Sequence, residues 1–283
     1  MTQKKQYEEM TNAAWSRLAE RLIEDRPAGE SPKGKRPVEI RKISKLQIAV
    51  AAILIGVVVS AALWYAGYRA DHRDMRIVFN EGTSPLATPL ADGSIVYIAE
   101  RGSLEFPDEF PKNRRQVVLH GDAYFDVTGN ADQPFLIETK QFTIEVVGTS
   151  FLVKSNPELP FELSVVSGEV RVTDKQSQQV YPVKAGEQAL FENLTFRVHT
   201  LADREAIRDY KHVIHFKDES IENVCYVLNQ NLSGQQLSFA EGVKDLPVSF
   251  GFDNTASPEH AAFLICTLHK LNYKIEGDTI LIY

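Results

Sequence analysis

The chain has 283 residues, 43% hydrophobic and 24% charged, a globular composition in a length too great for one small domain, so two folded domains are expected. The net charge of −7 divides unevenly, with +4 on residues 1–45 and −11 on the remainder. An acidic bulk without a basic patch argues against direct nucleic-acid binding there.

At the N-terminus Tyr7, Met10, Ala14, Leu18 and Leu22 recur at three- and four-residue steps with Trp15 beside them, which predicts an amphipathic helix over 7–23. One such helix cannot bury its stripe alone. It packs on a partner protein, on its own kind, or on a membrane surface. Residues 26–40 hold three prolines, two glycines and several charges, the composition of a flexible tether.

The run LQIAVAAILIGVVVSAALWYAGY, Leu46 to Tyr68, contains 23 residues without a charge. As a helix it extends roughly 35 Å, enough to cross a bilayer. It is too long, and begins too far into the chain, for a cleaved signal peptide, and it lacks the polar face expected of a core helix. Lys33, Lys35, Arg36, Arg41, Lys42 and Lys45 precede it, against Arg69, Arg73 and Arg76 after it. The positive-inside bias therefore places the N-terminus in the cytoplasm, with Trp64, Tyr65 and Tyr68 at the outer interface. The expected organisation is a multidomain membrane protein: residues 1–45 as cytoplasmic helix and tether, and 46–68 as one transmembrane helix. Residues 69–211 form an all-β domain with a connector, and 212–283 a C-terminal α+β domain.

In the all-β region short alternating runs follow one another at Ser94–Ala99, Gln116–Leu119, Ala123–Val127, Phe135–Glu138, Phe142–Val147, Ser150–Lys154, Phe161–Val166 and Glu169–Thr173. Turn signals separate them, among them Asp92-Gly93, His120-Gly121 and Ser167-Gly168. A sandwich, roll or solenoid is expected. The stretch HGDAYFDV, His120 to Val127, gathers two carboxylates and a histidine, but with a period of two Ala123, Phe125 and Val127 share one face and Asp122, Tyr124 and Asp126 the other. That is a half-buried strand and not a catalytic pair. Residues 201–211 predict a short helical connector.

From His212 the pattern becomes strand, helix, strand, and then repeats. Ser220 caps a helix with Ile221, Val224, Cys225 and Leu228 on one face, and Ser257-Pro258 opens a second with Ala261, Leu264, Ile265 and Leu268. With strands at Gln236–Phe239 and Pro247–Phe252 and a terminal hairpin turned by Gly277-Asp278, two βαβ units arise by a duplication of about 36 residues.

His212 and His215, three apart on a strand, point to opposite faces and make no metal pair. No Cys-x-x-Cys, His-Glu-x-x-His, Gly-x-Ser-x-Gly or phosphate loop occurs, so no catalytic, cofactor-binding or metal-ligating residue is assigned and the chain reads as a non-enzyme. Cys225 and Cys266 lie one on each repeated helix. Two small buried thiols and a helix-to-helix disulfide both fit that placement.

Several ordered motifs resemble the FecR family of anti-sigma regulators, in the form common in Bacteroidetes. They are Leu90-x-Asp92-Gly93-Ser94-x-Val96, Ser103-Leu104-x-Phe106-Pro107-x-x-Phe110, and Arg115-x-Val117-x-Leu119-x-Gly121-x-Ala123-Tyr124-Phe125-x-Val127. Pro134-Phe135, Gly148-Thr149-x-Phe151-x-Val153 and Gly186-Glu187-Gln188 follow in order. Ala99, Ser167 and Ala185 depart from the family pattern, and the cytoplasmic part, a multi-helix domain in many relatives, has one helix here. The tail from about His212 to Tyr283 resembles the short signalling domain found at the N-terminus of secretins and TonB-dependent transducers.

The resemblance implies an inner-membrane, single-pass anti-sigma factor with its C-terminus in the periplasm. It would sequester an extracytoplasmic-function sigma factor, with Trp15, Leu18 and Leu22 as the contact, and relay a signal from the N-terminal signalling domain of an outer-membrane TonB-dependent receptor. No cofactor is implied. The alternative is a non-signalling periplasmic scaffold or adaptor anchored in the inner membrane, because the C-terminal fold assembles machinery in secretins.

Overall fold

The computed structural model describes residues 15–17, 20, 54–62, 75–112, 114–201 and 205–283. The chain divides into two compact units, Met1–Ala61 and Ala62–Tyr283. In the first, the described residues are helical and exposed, Trp15 among them. Leu18, Leu22, Leu46 and Tyr68 lie outside the described residues, as does much of the predicted span. Among the described residues no helix is long and apolar enough to cross a membrane.

The second unit is built on a two-layered β-sandwich. One layer runs β1 (Met75–Phe79), β4 (Ser103–Pro107), β5 (Arg115–Asp126), β6 (Phe135–Glu138), β7 (Phe142–Val146), β10 (Glu169–Asp174) and β11 (Val180–Lys184). The other runs β13 (Thr195–Thr200), β12 (Glu187–Glu192), β9 (Phe161–Ser167), β8 (Ser150–Ser155), β5 again, β3 (Ile95–Ile98) and β2 (Leu86–Pro89). The first half of β5 pairs with β4 and β6, and its second half with β3 and β8.

One strand thus serves both layers, and Gly121 is its corner. Its φ is +86°, and a Cβ there would lie 3.1 Å from the Cα of Gly102, so a side chain is excluded on both counts. The sequence predicts a turn at His120-Gly121 between two strands; the structure instead bends one twelve-residue strand. The physical reason is unbroken parity: Val117, Leu119, Ala123 and Phe125 are all buried on the same alternation, so the chain turns a corner without leaving the core. Between the layers Phe125 stacks on Phe151 with centroids 5.3 Å apart, and Phe142 meets Phe161 at 4.2 Å.

After the sandwich come α1 (Glu205–His212), β14 (Val213–Ser220), α2 (Ile221–Asn231), β15 (Gln236–Phe239), β16 (Pro247–Asp253), α3 (Pro258–His269), β17 (Tyr273–Glu276) and β18 (Thr279–Ile282). Both predicted N-caps form: Ser220 accepts from the N–H of Asn223 and Ser257 from that of His260, with Pro258 opening α3. The duplicated strand–helix–strand order is present, but its strands do not close as parallel crossovers. The first strands of the two copies, β14 and β16, pair antiparallel with each other, while β15 and β18 pair in parallel with β17 beyond them in a separate three-stranded sheet. The cause is a competing partner for β14. His215 lies parallel to Leu86 of β2 and its N–H donates to the carbonyl of Pro85 at 2.8 Å, so β14 and β16 extend the second layer of the sandwich.

Helix α3 is also rotated from its predicted stripe. Ala261, Ala262, Ile265 and Cys266 are buried while Leu268 is half exposed, because the small side chains let the helix sit close to its sheet. The resulting apolar cluster is shared. Ala87, Ile95, Tyr97, Tyr124 and Leu152 on the outer face of the sandwich pack with Ile214, Phe216, Val224, Leu228 and Ile265 of the C-terminal part.

Candidate functional site

The two acids in HGDAYFDV face a neighbouring element. Asp126 accepts from Ser150 Oγ and from Lys211 Nζ, each at 2.5 Å, and the Lys211 ammonium lies 5.4 Å from the ring centre of Tyr97 and 5.0 Å from that of Tyr124. The connector helix is therefore held to β5 by an ion pair and a cation–π contact, and to β3 by a second cation–π contact. Asp122 accepts the main-chain N–H groups of Ser155 and Asn156 at 2.9 and 3.2 Å. Burial raises its carboxyl above the ordinary value against the pull of those two amides. A groove of about 550 Å³ brings Glu100, Arg101, His120, Asp122 and Lys140 together. Within it, Asp122 is committed to main-chain amides and His120 contacts Glu105 at 3.3 Å outside the groove, an arrangement that holds strands together.

Tyr97 is the centre of the junction between sandwich and C-terminal part. Its ring is fully buried, its hydroxyl accepts from Asn231 Nδ2 at 2.7 Å, and burial holds its phenol protonated far above the usual range. Nearby, Tyr226 of α2 donates to the carbonyl of Gly93 at 2.6 Å. Gly93 has φ +81° and a Cβ there would approach the Tyr226 hydroxyl to 3.2 Å, so the Asp92-Gly93 turn is shaped for the incoming helix.

Beneath that turn sits a buried cation. Arg115, 1% exposed, spends five N–H donors on five acceptors. Nη1 meets Asp92 Oδ2 and the carbonyl of Thr128 at 2.8 Å each, Nε the carbonyl of Gln133 at 2.8 Å, and Nη2 the carbonyls of Val147 and Asn130 at 3.2 and 3.4 Å. Asp92 also takes the N–H and the hydroxyl of Ser94. Sequence reasoning named both motifs and missed the pair, because 23 residues separate its members.

The surface most suited to a partner is a sheet edge. The C-terminal part has three free edges. β15 is closed at its middle, where the Asn229 side chain accepts the N–H of Leu237 and donates to its carbonyl at 2.8 and 2.9 Å, as a neighbouring strand would. β17 carries Lys274 and Glu276, paired at 2.6 Å. β16 is guarded only at its start, where His269 Nε2 meets the carbonyl of Pro247 at 2.7 Å; among the described residues Val248–Phe252 is uncharged and pairs on one side alone. Because His215 points its N–H away from β16, Gly251 opposite it points its own main-chain groups away from β14, and Ser249 and Asp253 share that direction by alternation. Val248 and Phe252 anchor the strand beneath and Phe250 is half buried, leaving the edge from Ser249 to Asp253 open to an incoming strand, with a bulge in β14 between Phe216 and Glu219 behind it.

Other sequence-derived candidates resolve as follows. Cys225 and Cys266 are both free and buried in the shared cluster; burial pushes the Cys225 thiol up to about 12 and raises that of Cys266. Native protein at neutral pH should therefore leave a thiol reagent unreacted and release two thiols on unfolding without reductant; fewer would show the pair oxidised. Among the described residues no cluster of His, Cys, Asp and Glu is arranged to hold a metal ion.

Glu219, buried just before the cap of α2, is lifted above the ordinary carboxylate value by burial, against the Asn223 amide and Arg76, with Asp218 adding to the rise. A raised folded pKa means that the folded state binds the proton more tightly, so the stability involved is present at low pH and is lost as pH rises through the folded value. Glu219→Gln should melt higher than the parent at about pH 7 and lose that advantage near pH 4, since Gln retains the acceptor for Asn223. A variant less stable than the parent at neutral pH would refute this.

Comparison with known proteins bears on the sandwich. The family described as FecR protein matches residues 75–171. Two crystal structures of a candidate anti-sigma factor from Parabacteroides distasonis ATCC 8503, at 1.65 and 2.50 Å resolution, are similar at 23% identity with TM-scores of 0.46 and 0.47. Each covers 74% of this chain, and 98 and 99% of its own length respectively. No curated protein matches the chain. The bent strand β5, the Arg115–Asp92 pair and the Asp92-Gly93 turn thus belong to a FecR-family domain, which this chain carries over residues 75–171.

Proposed function

We propose that this protein is a FecR-type anti-sigma regulator that spans the inner membrane once, through residues 46–68. Its N-terminal helix holds an extracytoplasmic-function sigma factor through Trp15, Leu18 and Leu22, and its C-terminal part receives an outer-membrane TonB-dependent receptor. The observation that carries this reading is the FecR domain at 75–171, placed directly after a charge-free run of 23 residues and a lone amphipathic helix. Sequestration works by mass action: a sigma factor occupied by the helix does not engage polymerase. The receptor's signalling domain adds a strand to the open edge of β16, and that edge leads through β14 and β2 into the FecR sheet.

Leu18→Pro removes about 3 kcal/mol of helix stability and should release the sigma factor, raising transcription of its target operon in a reporter strain without the inducing signal. Full repression by this variant would show that the helix is not the contact.

A further inference from the structure

Strand β1 carries an apolar face that the other described residues leave exposed. Met75, Ile77 and Phe79 are 43%, 63% and 46% exposed and, two residues apart, point the same way, while Val78 on the opposite face packs into the core. On that outer surface the neighbouring strand places Ser103 and Glu105 opposite Phe79 and Ile77, and the buried Pro107 opposite Met75, so the exposed part of the apolar stripe lies on the edge strand. Single exposed hydrophobes are ordinary; three aligned on a five-residue edge strand mark a contact surface.

The position of β1 in the chain says what covers it. Only residues 69–74 separate it from the run Leu46–Tyr68, and six residues reach about 20 Å at most when fully extended. We propose that β1 rests on the outer surface of the bilayer, with Met75, Ile77 and Phe79 in the boundary between headgroups and acyl chains. This rests on the reading of 46–68 as a membrane span. At headgroup depth water still reaches the free main-chain groups of the edge. The lipid surface is favoured over a soluble partner because the short tether keeps the stripe beside the membrane at all times. The domain is thereby held in one orientation, with β1 down.

The test uses the full chain reconstituted in vesicles of phosphatidylethanolamine and phosphatidylglycerol, with a bimane fluorophore on Ile77→Cys or on Leu194→Cys. Leu194 is exposed in the turn before β13, at the end of the second layer away from β2 and β14; β1 lies beside those two strands, across a groove of about 170 Å³. Lipids carrying a shallow nitroxide should quench position 77 more than twofold and leave position 194 unchanged. Absence of quenching at 77 in protein that resists carbonate extraction overturns the proposal and leaves the span intact. Protein stripped from vesicles by carbonate, with no quenching, defeats the span and the proposal with it. Shielding of position 77 from both the lipid nitroxide and aqueous iodide overturns the proposal in favour of a protein cover.

Discussion

Replacing Arg115 with methionine is expected to destabilise the FecR domain by about 3 kcal/mol, because it takes the cation from a largely buried carboxylate and leaves several main-chain carbonyls without their donor. In a unit of this size that loss lowers the melting temperature on the order of 10 °C. The Arg115 guanidinium joins the Asp92 turn, the 128–133 loop and the end of β7, adding to the bonds from the Thr128 N–H to Ser94 Oγ and from the Asn130 N–H to the Val147 carbonyl. Its charge is tolerated because all its donors are used and because it lies 5.5 Å from the ring centre of Phe135. Lys154→Met, which removes the part-exposed ion pair with Glu162, serves as the comparison and should cost about 1 kcal/mol or less. Equal small losses in both variants would show that the buried pair does not organise the turn.

Tyr97→Ala is the second large effect, about 3–5 kcal/mol for deleting a buried ring. The loss falls at the junction, since the ring packs 5.9 Å from Tyr124, lies beneath Lys211 and holds Asn231 of α2. Hydrogen exchange should therefore show weakened protection in α2 and β14 as well as in β3. Tyr97→Phe should cost about 1 kcal/mol, because Asn231 keeps its bond to the carbonyl of Val227. If Tyr97→Ala loosens the sandwich while α2 stays protected, the C-terminal part does not depend on the shared cluster.

What the sequence revealed and what it hid follow from the range of the interactions. Period-two alternation located β6 to β10 within a residue or so, and local cap chemistry located the starts of α2 and α3, because both signals are written in neighbouring residues. β1, β2 and β4 are not legible in that alternation, nor are β11, β12 and β13. Several of these are short, and β2, β4 and β11 include a proline, which weakens a local strand signal although an edge or a strand end accepts it. The parallel crossovers expected of the repeats did not form because the partner of β14 lies in β2, more than a hundred residues earlier. At the candidate site the same limit holds: the exposed edge of β16 could be anticipated as a class, but the Asn229 cap that closes β15 and leaves β16 as the uncharged edge is a contact between a helix side chain and a strand backbone. The alternation of Ala123, Phe125 and Val127 makes the second half of HGDAYFDV legible as a strand, although Tyr124, expected on its polar face, is buried against the C-terminal part.

The central claim is that the short N-terminal helix grips a sigma factor. The most direct measurement purifies the tagged full-length protein and a version lacking residues 1–25 from membranes and identifies the bound proteins by mass spectrometry. A sigma factor recovered with the full-length protein and lost with the truncation is the predicted result. Recovery with both, or with neither, would contradict it.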